Sequence, residues 1–173
     1  DGTRVRCLLW LADGVGLATE IDGTLYRGTS GGAGEIGYVP VPAGAVRDTT
    51  TRRRRPTDFH DLVGAKAVVT LARTHGLGAG DATAVVARAA ARPTDPSASA
   101  FLDELAGRVA VGLAIVAAVL DPGLVVLGGT TGIAGGRALA VRTQRALRAT
   151  TRLSCAVLPS AVADDAVLAG VRV

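Results

Sequence analysis

Five glycines crowd the stretch from Arg27 to Pro40 and surround a single carboxylate, Glu35. Glycine reaches backbone conformations that other residues avoid, so this stretch makes tight reversals and behaves as a shaped loop on a scaffold. It follows a strand-like run directly, which leaves Glu35 facing whatever lies above the loop. A carboxylate accepts hydrogen bonds from two vicinal hydroxyls at once, and charge-assisted bonds of this sort are the stronger kind. The pattern suits the gripping of a hydroxyl-rich ligand. It equally suits a glycine-rich connection in which Glu35 merely caps the next element.

The residues on either side supply the scaffold. Val5 to Ala12 reads as a buried strand and Gly14 to Ile21 as a second, with Asp22-Gly23 as a hairpin turn into a short third strand through Leu25 and Tyr26. Arg52 to Arg55, without interleaved aromatics, reads as a solvated loop rather than a nucleic-acid contact. Thr57 or Asp58 caps a helix to about His75, stopped by Gly76, and Asp81 caps another to about Arg92, broken by Pro93 to Pro96. Ser97 or Ser99 opens the longest helix, to about Leu120, apolar on most faces from Val109 onward and therefore central. Asp121-Pro122-Gly123 turns into a strand over Leu124 to Leu127, and Gly136 to Arg152 is an amphipathic helix bearing Arg142, Arg145, Arg148 and Arg152. A strand near Cys155 to Leu158 and a closing helix near Asp164 complete the chain. A meander followed by alternating helices and strands predicts an α/β domain, a mixed sheet with helices packed on it.

A single domain of 173 residues can bury a sizeable core, about 70% of its unfolded surface. Aromatics are only 3% of the chain, so that core must be Ala, Val and Leu packed closely. Cys7 and Cys155 sit in apolar strand-like runs and read as small core residues. The net charge of +4 is almost wholly arginine, Lys66 being the only lysine. With no methionine in it, the sequence is expected to continue upstream of Asp1. No signal peptide and no membrane-length apolar run is visible, which predicts a cytoplasmic protein with no membrane partner.

The run Gly23-Thr24-Leu25-Tyr26-Arg27-Gly28, followed by Gly34-Glu35-Ile36-Gly37, resembles the sugar-binding core of the ROK family of bacterial sugar kinases and sugar-responsive transcriptional repressors. The resemblance covers nearly the whole chain. It implies an actin-like ATPase, ribonuclease H-like fold with a five-stranded sheet, of which this chain would be the C-terminal lobe, with ligands in the cleft between lobes. It further implies sugar contacts from Gly34, Glu35 and Tyr38. Asp61 aligns with a glutamate that completes those contacts in the family, although an acid in a first helical turn is also what the helix dipole favours. The family's catalytic base, in an Asn-Asp motif, would lie upstream of Asp1, so no catalytic residue is assigned.

Two family motifs have changed here. ROK kinases cradle ATP phosphates with a Gly-Thr-Gly-x-Gly turn, and alignment on Gly14 and Gly16 puts Ala12-Asp13 where that turn has Gly-Thr. A carboxylate about 4 Å from a phosphate oxygen repels it by roughly 4 kcal/mol at an effective dielectric of 20, about a thousandfold in affinity. A tight turn using positive-φ glycines would explain Gly14 and Gly16 without a nucleotide. Leu124 to Gly129 resembles the family's adenosine-side motif, though any buried strand ending at Gly128-Gly129 would look the same. The family's zinc site needs a histidine, here Tyr38, and three cysteines, none of which occurs between Tyr38 and Phe59. Arginines cannot replace thiolates as ligands, so no zinc is expected. His60 and His75 read as helix residues, the latter near a C-terminus.

These features suggest the sugar-sensing lobe of a ROK transcriptional regulator with kinase activity lost and no cofactor. Its partners would be a sugar or sugar derivative, DNA through a domain upstream, and further copies in a homo-oligomer. An ATP-dependent, glucokinase-like sugar kinase is the enzymatic alternative, with ATP and Mg²⁺ as cofactors, and a structural pseudo-kinase that binds nothing is the third.

Overall fold

The computed structural model describes residues 4–42, 58–153 and 155–162. Five strands, β1 (Val5–Leu11), β2 (Val15–Ile21), β3 (Thr24–Tyr26), β4 (Leu124–Gly128) and β5 (Ala156–Pro159), form one sheet in the order β3-β2-β1-β4-β5. The first three are an antiparallel meander, and β4 and β5 run parallel to β1. Side chains alternate as a half-covered sheet requires: Cys7, Leu9, Leu11, Val125, Leu127 and Val157 are buried, and Arg6, Leu8 and Trp10 between them are less so. Asp22 (φ 48°) and Gly23 (φ 80°) both take positive φ, as the expected hairpin turn demands. Arg4 clamps that turn by donating to both Asp22 carboxylate oxygens at 3.0 and 2.9 Å.

Five helices, α1 (Phe59–Val63), α2 (Ala65–Thr74), α3 (Ala82–Ala90), α4 (Pro96–Leu120) and α5 (Gly129–Thr150), pack on the buried face. Where the sequence suggested one helix from Asp58 to His75 there are two, because Gly64 is extended (φ −64°, ψ 160°) and breaks the ladder. A side chain at Gly64 would meet the His60 imidazole at 2.9 Å. Asp58 is the cap of α1, accepting from the Asp61 amide at 2.8 Å. Helix α4 starts at Pro96, one or three residues earlier than an opening at Ser97 or Ser99: Asp95 accepts from the Ser97 and Ala98 amides, and Pro96, which reads as a breaker, occupies the first turn where proline is tolerated. Helix α5 starts at Gly129 rather than Gly136, which instead kinks it with φ 47° and ψ −143°. Three glycines and two threonines in those first turns have low helix propensity and hide the element.

Helix α4 is central, with eleven buried residues, and the ring of Phe59 lies against it at Gly112. Polar links stitch the helices. Asp103 takes Arg142 and Arg145 at 3.1 and 2.6 Å, and Glu104 takes His75 and Arg108 at 2.9 and 2.8 Å. Cys7 and Cys155 are buried free thiols, both pushed up in pKa chiefly by burial, as small core residues would be. Among the described residues no helix is long and apolar enough to cross a membrane. The Arg52 to Arg55 run, Thr57 and the closing helix near Asp164 lie outside the described residues.

Candidate functional site: a pinned loop and an adjoining groove

The glycine-rich loop is fastened to the sheet through Gly34. Its carbonyl accepts from the Leu17 amide of β2 at 2.8 Å and from the Ile36 amide at 2.7 Å. Its φ is +94°, and a Cβ there would run into the Leu17 carbonyl, so only glycine fits. Gly37 is held as closely, since a Cβ would stand 3.0 Å from the Val15 carbonyl oxygen. Between these anchors Glu35 enters a single 3-10 turn, Ile36–Tyr38, with its side chain exposed and making no capping hydrogen bond to it. The local-cap explanation of Glu35 therefore has no hydrogen bond behind it. Tyr38 is 77% exposed.

Backbone pairing brings the start of α1 to this loop. The Phe59 amide donates to the Val39 carbonyl at 2.9 Å, and Pro40 bridges to Asp58. Asp61, exposed in the first turn of α1, thereby lies on a helix that packs on the 3-10 turn following Gly34 and Glu35 and ending at Tyr38. The four residues singled out for a sugar thus lie on two elements that pack together, with the Glu35 carboxylate and the Tyr38 phenol exposed to hydroxyls.

A second concavity, of about 820 Å³, opens at the far end of β1. Asp13 and Gly14 form one wall, Lys66 and Arg73 of α2 another, and Thr130 and Thr131 at the start of α5 a third. The β1–β2 connection and the residues that follow Gly128-Gly129 therefore do converge on one groove. The glycines differ in why they are there. Gly129 has φ +74° and a Cβ would strike the Leu11 backbone, so the fold alone requires it, while a Cβ on Gly128 would meet only the end of the Leu8 side chain at 2.8 Å, which can shift. Gly14 and Gly16 have no positive φ, and nothing lies within 4 Å of a Cβ at either. This corrects the turn explanation: neither the turn nor the packing requires these two glycines. What they leave is bare backbone open to a ligand. Asp13 is exposed beside them, and Thr131 is buried with its hydroxyl oxygen unpartnered among the described residues.

Lys66, Arg73 and Thr131 were not singled out from sequence. Lys66, Val69, Thr70 and Arg73 lie at helical spacing, but nothing local to α2 reveals that this face looks onto the β1–β2 turn. Among the described residues no three His, Cys, Asp or Glu side chains come together as metal ligands.

The ROK family sequence profile matches residues 3–172. No curated protein sequence matches. Among solved structures, a ROK family glucokinase from Streptomyces griseus in complex with glucose and AMPPNP is 23% identical with a TM-score of 0.77, covering 98% of this chain and 60% of that one. A ROK hexokinase from Thermus thermophilus is 24% identical with a TM-score of 0.71, over 98% of this chain and 56% of that one. A ROK family transcriptional regulator, a homolog of the E. coli MLC protein, is 16% identical with a TM-score of 0.67, over 90% and 41%. The chain spans little more than half the length of these kinases and less than half that of the regulator. The sheet order, the helices and these likenesses agree on an actin-like fold, and with the profile spanning nearly every residue, the chain belongs to the ROK family.

Proposed function

We infer that the chain is the C-terminal, sugar-binding lobe of a ROK transcriptional regulator that no longer transfers phosphate. The observation that carries this is the contrast between the two regions: the loop presents an unoccupied Glu35 on a backbone that Gly34 holds in place, whereas the groove presents Asp13 where a phosphate would lie. Glu35 would accept two hydroxyls of a sugar or sugar derivative, Asp61 a further one, with Tyr38 donating or accepting at the rim. DNA would be bound by a domain outside this chain, in a cytoplasmic homo-oligomer without zinc or other cofactor. The pseudo-kinase alternative gives Glu35 no role.

A kinase is favoured by one specific observation, the bare Gly14 in the groove with Lys66 and Arg73, which would suit ATP phosphates if Asp13 were absent. Two measurements on the intact protein separate these. Calorimetry with ATP and Mg²⁺ should detect no micromolar binding, and Asp13→Thr should improve any that remains; micromolar affinity in the wild type would favour the kinase. Thermal melting with a panel of hexoses and amino sugars should find one that stabilises the wild type. Glu35→Gln should weaken that binding by about 1.5–3 kcal/mol, roughly ten- to hundredfold. Equal melting shifts in wild type and variant would remove Glu35 from the site.

A further inference from the structure

We propose that the outer face of α5 is a docking ridge for the phosphate backbone of duplex nucleic acid. Helix α5 contains no Asp or Glu from end to end. Beyond the Gly136 break its turns are regular, and at 3.6 residues per turn Arg137, Val141, Arg145 and Arg148 fall within about 80° of its circumference. All four are exposed. The stripe is about 16 Å long at 1.5 Å per residue, and Arg152 is exposed just past the helix end. Arg137 and Arg148 have no hydrogen bond or ion pair among the described residues. Arg145 touches Asp103 yet keeps 71% of its side chain exposed. Helix α3, packed against α5, is also free of acids.

The helix dipole accounts for only part of this. Arg148 in the last turn complements it, but Arg137 stands in the first turn after the break, where a cation is disfavoured. The chemistry of the stripe selects its partner. Guanidinium forks match phosphate oxygens in bidentate geometry. With no aromatic on the stripe, the stacking that holds single strands is missing. With Val141 as its only apolar side chain, it lacks the hydrophobic centre of a protein interface. What remains is sequence-independent contact with duplex phosphates.

The test is fluorescence anisotropy of a labelled duplex of about 20 base pairs and arbitrary sequence, titrated with the intact protein between about 50 and 200 mM salt. Arg137→Gln with Arg148→Gln, both exposed, should weaken binding tenfold or more at the lowest salt and reduce the log–log salt slope by about 2. Three results would overturn the proposal: no binding even at low salt, an unchanged slope in the double variant, or tighter binding of poly-glutamate than of duplex at equal salt. The ridge does not depend on the sugar-binding assignment. The double variant should keep the sugar-induced melting shift, so the two can fail separately.

Discussion

Gly14 and Gly34 are the same residue type with opposite reasons for being there. At Gly34 the backbone is left-handed and a methyl would collide with the strand beneath, so Gly34→Ala should cost about 1–3 kcal/mol or more, read as a fall in the urea midpoint. At Gly14 there is open space and ordinary φ, and Gly14→Ala should shift stability by no more than about 0.5 kcal/mol. A large loss there would mean that the turn needs its glycine after all. At this scale the loop was readable, and of the groove only the Asp13-Gly14 wall was. A run of glycines around one carboxylate is visible in the chain, whereas Lys66 and Arg73 acquire meaning only when α2 is laid beside Asp13. Whether a glycine serves the fold or an approaching ligand is likewise invisible until its neighbours are known.

Two helix starts were readable from the carboxylates that cap them, Asp58 and Asp81, whereas the Asp95 cap of α4 was hidden by Pro96, which reads as a breaker. Helices were misread where glycine decides, because glycine signals a break, a kink or a close approach with one letter. Helix α4 contains two such cases. A Cβ at Gly107 meets nothing within 4 Å, while one at Gly112 would enter the Phe59 ring. Gly107→Ala should therefore stabilise the protein by about 0.5–1 kcal/mol by lowering backbone entropy in the unfolded chain. Gly112→Ala should destabilise it by about 1–3 kcal/mol through overpacking. Chemical denaturation of the pair checks both signs, and equal effects would mean that the Phe59 contact with α4 is not made. The strands and the opening meander followed from alternation and from the Asp22-Gly23 turn, both local signals, while the placing of β4 beside β1 is non-local and was not read.

For the molecule as a whole, the response to acid follows from Glu104, which joins α4 to the end of α2. Burial, the largest single influence, pushes its pKa up, but hydrogen bonds and charges from His75 and Arg108 together outweigh it and hold the carboxyl below its usual range. A carboxyl that is more acidic when folded contributes stability at neutral pH, and that contribution is lost as pH falls through the folded-state value. Urea midpoints should therefore drop between neutral pH and about pH 3, and Glu104→Gln should flatten the drop. Parallel curves would show that the link does not respond to acid. Strand β2 has a different consequence for anyone altering the protein. It begins at the groove and, at Leu17, moors the loop through the Gly34 carbonyl. Asp13 lies two residues before the strand, and Leu17 is the third residue within it. Because a strand shows its residues to alternate sides, an extra residue inside β2 ahead of Leu17 would turn the wrong side of the strand toward Gly34, whereas a change confined to Ala12, Asp13 or Gly14 lies outside the strand. The wall of the groove formed by that turn can therefore be rebuilt by replacing residues in place, with the loop's mooring at Leu17 untouched.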